Sequence, residues 1–144
     1  MKQKTFNSKI VRAALRAAKA VRLSSDYKFF RMGSCIFTSK RILVSGANVN
    51  KTSPMQGEYN KYRPFDTRHM RSCCHAEMSA LIRFKRLYPD IDGSDVSILV
   101  YRETADGCYA MAKPCPACEH ALRDAGITNI YYTDRNKLCY EKYL

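Results

Sequence analysis

Apolar and polar positions near the start of the chain follow a helical spacing. Ile10, Ala14, Ala18 and Val21 form one apolar stripe within residues 8–24, which predicts an amphipathic helix packed on a sheet. Another face of this helix is basic, and it carries Lys9, Arg12, Arg16 and Lys19. That basic stripe is typical of a solvated surface, and it is also suited to contact phosphate.

The next apolar stretches have the length and composition of strands. Phe29–Thr38 and Arg41–Asn48 are separated only by Ser39 and Lys40, and so short a connection predicts an antiparallel hairpin. Farther along, Asp95–Glu103 and Asn129–Thr133 are also strand-like. The apolar run in Asp95–Glu103 favours a strand that is buried on both sides.

Two more helices are predicted in the second half of the chain. One begins at His75 and runs to about Tyr88, where Pro89 ends it. Its buried face is predicted to contain Ala76, Ala80, Phe84 and Leu87. The other helix is Cys115–Ala125, with Gly126 as its C-terminal stop.

A long polar stretch, residues 49–72, leads into His75 and is predicted to be a loop. A loop of this length within one domain is usually functional or disordered. Because it leads directly into His75, it is predicted to form a wall of a functional site at that residue. Its side chains are mainly basic and aromatic, namely Lys51, Tyr59, Lys61, Tyr62, Arg63, Phe65, Arg68, His69 and Arg71. Such a mixture suits nucleotide or single-strand binding, and it equally suits a solvated loop.

The last residues predict a hairpin. Only Asp134–Lys137 separates the strand ending at Thr133 from Leu138–Leu144, whereas a parallel strand would require a crossover of about a dozen residues or more. Asp134 and Asn136 favour a turn. We therefore expect Leu138–Leu144 to pair antiparallel with Asn129–Thr133, with a short C-terminal helix as the alternative.

Length and charge limit the function classes. The chain of 144 residues predicts a single domain, 1–144, with a substantial core. Its formal net charge of +12 favours anionic partners, either nucleotides or a nucleic-acid backbone, although a basic surface without a ligand is the alternative.

No apolar run is long enough to span a membrane. The odd number of cysteines, 7, and the absence of a secretory signal predict a reducing, cytoplasmic location.

Two short motifs carry the candidate chemistry. The first is Cys74-His75-Ala76-Glu77 and the second is Lys113-Pro114-Cys115-Pro116-Ala117-Cys118. One imidazole and two thiolates suit a tetrahedral zinc ion, and a set of three leaves the fourth position for water. Cys115 and Cys118 lie on one face at the start of a predicted helix, where a thiolate is favoured. Glu77 is then an acid–base group that is not a ligand.

Other functions of the Cys-x-x-Cys pair are open at this stage. A redox pair would explain Cys115 and Cys118 but would leave His75 and Glu77 unexplained. A closed structural zinc site needs a fourth ligand, which Cys73 or Cys74 would supply.

The sequence resembles the cytidine and deoxycytidylate deaminase superfamily, on His75-x-Glu77 and Pro114-Cys115-x-x-Cys118. The likeness extends over roughly residues 8–133. It implies a three-layer α-β-α fold with a mixed sheet of about five strands. It also implies zinc held by His75, Cys115 and Cys118, and hydrolytic deamination of a base with Glu77 as the proton shuttle. The resemblance further implies that Asn48 lies near the sugar and that the backbone at Ala76 contacts the base.

The predicted tail separates this chain from part of that superfamily. The deoxycytidylate, transfer-RNA adenosine and polynucleotide cytosine branches have a parallel fifth strand, and the free-cytidine branch has an antiparallel one. This chain has a His-Ala-Glu motif like that of the branches with a parallel fifth strand. Its predicted tail is like that of the free-cytidine branch. The small size of the chain and its deoxycytidylate-like motif favour a free cytosine nucleotide or nucleoside as substrate. The charge and the basic, aromatic loop favour the alternative, a cytosine or adenosine in single-stranded DNA or RNA, including transfer RNA. A non-catalytic zinc-stabilised nucleic-acid-binding module is a further alternative. A short tail leaves one side of the site uncovered, so a homo-oligomer or an open pocket is expected.

Overall fold

The computed structural model describes residues 8–27, 30–63 and 73–143. The helices are α1 (Lys9–Val21), α2 (Pro54–Tyr59), α3 (Ala76–Leu87) and α4 (Pro116–Asp124). The strands are β1 (Met32–Phe37), β2 (Ile42–Ala47), β3 (Ser97–Arg102), β4 (Asn129–Asp134) and β5 (Lys137–Lys142). Short 3-10 turns occur at Arg22–Ser24, Asn60–Tyr62 and Gly93–Asp95.

All these strands join one five-stranded sheet in the order β2-β1-β3-β4-β5. Strands β3 and β4 pair in parallel, and the other neighbours pair antiparallel. Helix α4 provides the crossover between β3 and β4, so its N-terminus lies near the carboxyl end of β3. The predicted mixed α/β fold is confirmed.

Strict alternation along the strands divides the core into two layers. Cys35 and Leu99 face α1, packing with its buried Val11, Ala14 and Ala18. Their strand neighbours face the opposite side and pack against α3 and α4. This larger core includes Ile36, Met78, Leu81, Phe84, Ile98, Val100, Ala121, Leu122, Ile130 and Tyr132. A sheet covered on both faces explains why β3 is an almost continuous apolar run.

The C-terminal hairpin is confirmed. Strand β5 pairs antiparallel with β4 from Asp134↔Lys137 to Asn129↔Lys142. The two residues between the strands, Arg135 and Asn136, have φ values of 32° and 69°. Positive φ at both positions is the geometry that matches a two-residue turn to the twist of a hairpin. The predicted strand Leu138–Leu144 begins one residue earlier and ends at Lys142, and Leu144 lies outside the described residues.

Two sequence predictions are wrong in detail. Residues 49–72 are not simply a loop, because α2 and a 3-10 turn occupy 54–62. Ser53 caps α2 by accepting a hydrogen bond from the amide of Gln56, and Pro54 follows it at the first helical position, which is a helix-start signal. Residues 64–72 of the predicted loop lie outside the described residues.

The predicted buried face of α3 is wrong at its end. Leu87 is 57% exposed, because it is the last residue of the helix. Tyr88 packs at this end of the core in its place, with its ring centroid 6.4 Å from that of Phe84. In the part of the chain that the structure describes, no helix is long and apolar enough to cross a membrane.

Replacing Gly33 by alanine is expected to destabilise the fold strongly. Strand β1 passes so close to α1 that a Cβ at Gly33 would lie 1.9 Å from the carbonyl oxygen of Ala18. Relieving that overlap requires separating the helix from the sheet, so we expect a loss of about 3 kcal/mol or more in unfolding free energy. Urea denaturation measures the change.

The matched control is Gly57→Ala in α2. No atom lies within 4 Å of a Cβ placed there, and alanine is the better helix former by about 1 kcal/mol. This variant should be as stable as the parent or more so. Equal stabilities for the two glycine variants would contradict the close approach of α1 to β1.

Candidate metal centre and catalytic pocket

The starts of helices α3 and α4 face each other at one end of the sheet. His75 is the N-cap residue of α3, and Cys115 is the N-cap residue of α4, followed by Pro116 in its first turn. The Ser34 hydroxyl on β1 donates a 2.7 Å hydrogen bond to the carbonyl of Ala76, which ties the start of α3 to the sheet. These contacts bring together side chains that are 40 residues apart in the sequence.

The imidazole of His75 meets both thiols of the second motif. Its Nδ1 lies 3.4 Å from the Sγ of Cys115 and 3.4 Å from the Sγ of Cys118. All three potential ligand atoms lie within 4.8 Å of one another. On the other side of the ring, Nη1 of Arg63 lies 3.2 Å from Nε2.

This arrangement fits a tetrahedral zinc ion. With Zn–N near 2.0–2.1 Å and Zn–S near 2.3 Å, a tetrahedral angle places nitrogen and sulfur about 3.5 Å apart. The Nδ1–Sγ separations of 3.4 Å agree with that value. Two sulfurs and one imidazole nitrogen are ligands that zinc prefers. The residues present therefore fit zinc as the cofactor of this protein.

The surroundings of the two cysteines favour the thiolate form of one of them. A hydrogen bond with Cys118, helped by His75 and opposed by burial, lowers the pKa of Cys115 to about 4. The same hydrogen bond, together with complete burial, raises the pKa of Cys118. Neither cysteine is part of a disulfide.

Glu77 lies beside this group and is almost fully buried, with 4% of its surface exposed. Burial raises the pKa of its carboxyl, and this effect outweighs the opposing influence of His75. Within the described residues, its Oε1 atom has no hydrogen-bond partner. An unpaired buried carboxyl oxygen is costly for a fold, which indicates that Glu77 has a role other than stability.

A cavity of about 150 Å³ opens above Glu77 and His75. The other residues that line it are Phe30, Met32, Asn48, Cys73, Arg102, Met111, Lys113 and Cys115. The structure thus gathers His75, Glu77, Cys115 and Asn48 around one pocket, with Cys118 behind. Ala76 is fully buried between His75 and Glu77 and is not one of the lining residues.

Asn48 has a structural role as well as a place in the pocket. Its Oδ1 accepts a 2.8 Å hydrogen bond from the amide of Met32, and its Nδ2 donates to the carbonyl of Phe30 at 3.0 Å. It therefore fixes the chain entering β1. The same side chain thus anchors the start of β1 and lines the pocket.

Neither neighbouring cysteine belongs to the candidate ligand group, as far as the described residues extend. The Sγ of Cys74 donates to Ser53 Oγ at 3.7 Å and accepts from Ser79 Oγ at 3.5 Å. Cys73 lines the cavity wall. Among the residues that the structure describes, the group therefore contains one nitrogen and two sulfurs, without a fourth protein ligand of the kind that a closed structural site would need.

Sequence reasoning missed Gln56, which holds His75 in place. This side chain in α2 is fully buried, and its Oε1 accepts a 2.9 Å hydrogen bond from the backbone amide of His75. Its Nε2 donates to Oδ1 of Asn60 at 2.8 Å. The only local signal was a helix start at Ser53-Pro54, and nothing in the sequence links Gln56 to a residue 19 positions later.

Replacing Gln56 by leucine is expected to weaken metal binding without removing a ligand. The variant leaves the amide of His75 buried and unpaired, which costs about 1–3 kcal/mol. Loss of a group that orients a metal ligand typically lowers affinity about 10–100-fold. Competition for zinc against a chromogenic chelator measures this loss.

Asn60→Ala is the matched control for Gln56→Leu. It removes the other hydrogen-bond partner of Gln56 and keeps the bond to His75, so zinc affinity should change much less. Equal affinities in the parent and in Gln56→Leu would show that α2 does not support the site.

Comparison with known proteins places this geometry in a family. The family model described as the cytidine and deoxycytidylate deaminase zinc-binding region matches residues 4–134. No curated protein sequence matches the chain significantly.

Solved structures with the same fold include deaminases from different sources. A cytidine deaminase from Burkholderia pseudomallei is 21% identical, with a TM-score of 0.62 and 91% of each chain covered. A dCMP deaminase from the cyanophage S-TIM5 is 22% identical, with a TM-score of 0.60, covering 90% of this chain and 84% of that one. A cytidine deaminase from Mycobacterium leprae is 19% identical, with a TM-score of 0.53 and coverages of 90% and 91%. At such identities the likeness establishes the fold.

Proposed function

The chain belongs to the family of zinc-dependent cytidine and deoxycytidylate deaminases, and we propose that it removes the amine of a free cytosine nucleotide or nucleoside by hydrolysis. Water replaces the exocyclic amine at C4 of the ring, which gives the uracil product and ammonia. The observation that carries this proposal is the buried carboxyl of Glu77, one oxygen of which is unpaired, beside His75, Cys115 and Cys118.

The roles of these residues follow from their chemistry. When bound by His75, Cys115 and Cys118, zinc lowers the pKa of a water ligand toward about 7 and thereby supplies the nucleophile. Glu77 accepts a proton from the water, donates it to the ring nitrogen N3 and then assists the departure of ammonia. Because Glu77 is buried, its carboxyl exchanges protons with the reacting groups in preference to solvent.

The dimensions of the pocket favour a pyrimidine. A cavity of about 150 Å³ has the volume that in another protein accommodates a single six-membered ring. Asn48 uses one of its two amide hydrogens in the bond to Phe30, and we assign the other to the sugar of the substrate. By the resemblance to the deaminases we assign the edge of the ring to the backbone at Ala76, which lies between His75 and Glu77 although its own side chain does not line the cavity.

A polynucleotide is the second candidate substrate, and the surface of α1 favours it. Lys9, Arg12, Arg16 and Lys19 are exposed along one side of this helix, and α1 contains no acidic residue. A row of positive charges of this kind attracts a nucleic-acid backbone, and the attraction weakens steeply with salt. A steep dependence of KM on salt for oligonucleotides would support this second candidate.

Ammonia release from a panel of substrates tests the proposed function. The panel contains cytidine, deoxycytidine, CMP, dCMP, the corresponding adenine compounds and short single-stranded oligonucleotides with one cytosine. We expect turnover of the free cytosine compounds and none of the adenine compounds. Preferential turnover of oligonucleotides would replace the first candidate by the second. Absence of ammonia from every member would favour a non-catalytic module.

A further inference from the structure

A second depression adjoins the catalytic pocket. It encloses about 420 Å³ and shares Phe30 and Arg102 with the pocket. Its other lining residues are Arg22, Leu23, Arg31, Glu103, Thr104, Ala105 and Ala110. Because Phe30 and Arg102 line both depressions, a ligand whose ring occupies the pocket can extend over them into this groove.

One of the arginines in the groove is already paired. Arg22 forms a short salt bridge with Glu103, and its Nη1 donates to the carbonyl of Lys19 at 2.5 Å. The hydroxyl of Tyr101 donates to the second carboxylate oxygen of Glu103. Glu103, which is the acidic residue among those lining the groove, is therefore fully engaged away from the other cations.

Arg102 is in a different position. Its guanidinium carbon lies 4.4 Å from the centre of the Phe30 ring, so one face of the cation is covered by an aromatic ring and its edge is left for hydrogen bonding. Among the residues that the structure describes, no carboxylate forms an ion pair with it. Arg31, also in the lining of the groove, is exposed. Because the charges of Arg22 and Glu103 cancel, Arg31 and Arg102 give the groove a net positive charge.

We propose that Arg102, held against Phe30 and assisted by Arg31, binds the phosphate of the substrate. The planar guanidinium presents paired N–H groups that match phosphate oxygens, and the ring beneath it reduces the conformational freedom lost on binding. This inference rests on the proposed function, since the pyrimidine must occupy the adjoining pocket. It makes the substrate a phosphorylated cytosine compound, either a mononucleotide or a nucleotide within a strand, in preference to a free nucleoside.

Lys113 has a lesser role in this proposal. It lines the catalytic pocket, but its Nζ lies 3.4 Å from Oε2 of Glu141, so its charge is partly neutralised. Lys113 therefore competes less well than Arg102 for a phosphate.

The experiment compares dCMP with deoxycytidine in the zinc-loaded parent and in Arg102→Gln. We expect the ratio of kcat/KM for dCMP to that for deoxycytidine to fall about 10–100-fold in the variant, mainly through KM for dCMP. Arg31→Gln should lower the ratio less. Arg86→Gln is the control, because this exposed arginine lies on α3 about 15 Å along the helix from the pocket, and it should keep the parent ratio. An unchanged ratio in Arg102→Gln would overturn the proposal.

Binding of products separates this inference from the proposed reaction. Calorimetry with dUMP and with deoxyuridine needs no turnover, and we expect dUMP to bind more tightly to the parent but not to Arg102→Gln. If no substrate is turned over but this phosphate-dependent binding is seen, the phosphate site stands and the proposed reaction fails. Turnover with equal binding of dUMP and deoxyuridine would refute the phosphate site alone. A dinucleotide tested in parallel shows whether a phosphodiester binds in place of a terminal phosphate.

Discussion

Replacing Glu77 by glutamine is expected to lower kcat about 10²–10⁴-fold, the range attributed to a positioned acid–base group. The amide is nearly isosteric with the carboxyl but cannot accept and return a proton. Zinc content should be unchanged, because Glu77 is outside the set of His75, Cys115 and Cys118. Steady-state kinetics and metal analysis on the same preparation measure both quantities.

The stability of this variant provides its control. Glu77 is buried and its Oε1 is unpaired within the described residues, so removing the ionisable group should leave the unfolding free energy unchanged or raise it. If the variant loses activity and also unfolds, the loss of activity is due to loss of structure. Retention of most activity by a folded, zinc-loaded Glu77→Gln would show that another group moves the proton.

Replacing Cys115 by alanine is expected to remove zinc and a large part of the stability. A folded state that binds zinc at a free concentration 1,000 times its Kd gains about 4 kcal/mol. For a domain of 144 residues, that loss corresponds to a fall of roughly 10 °C in Tm. Calorimetry with and without a chelator measures it, and the variant should no longer respond to the chelator.

Cys108→Ala is the matched control for the loss of a thiol. Cys108 is exposed on the loop after β3 and is not part of the ligand group, so both zinc content and Tm should equal those of the parent. Cys73→Ala addresses the closed-site alternative, since Cys73 lines the pocket. Loss of zinc from Cys73→Ala would indicate a fourth protein ligand and would contradict an open catalytic site.

The sequence by itself predicted the elements whose signals are local. The apolar residues from Ile10 to Val21 recur at helical spacing, which predicts α1. The connection before Leu138 is too short for a crossover helix, which predicts an antiparallel β5. Local spacing was sufficient for these two elements because the residues that determine them are close in the sequence. The candidate ligand trio was named through the motifs that the sequence shares with the deaminase superfamily, since His75 and Cys115 are 40 residues apart.

Other features depended on contacts between distant residues. Gln56 supports His75 from a segment that the sequence predicted as a loop, and Arg102 stacks on Phe30 from a different strand. Leu87 was predicted to be buried because helical period alone does not show where the core ends. Periodicity determines which face of an element is apolar, but only the packing of α2, β1 and β3 around the pocket determines which polar side chains meet there. The candidate metal ligands could therefore be named from shared motifs, whereas the residues proposed to position them and to select the substrate came from the tertiary structure.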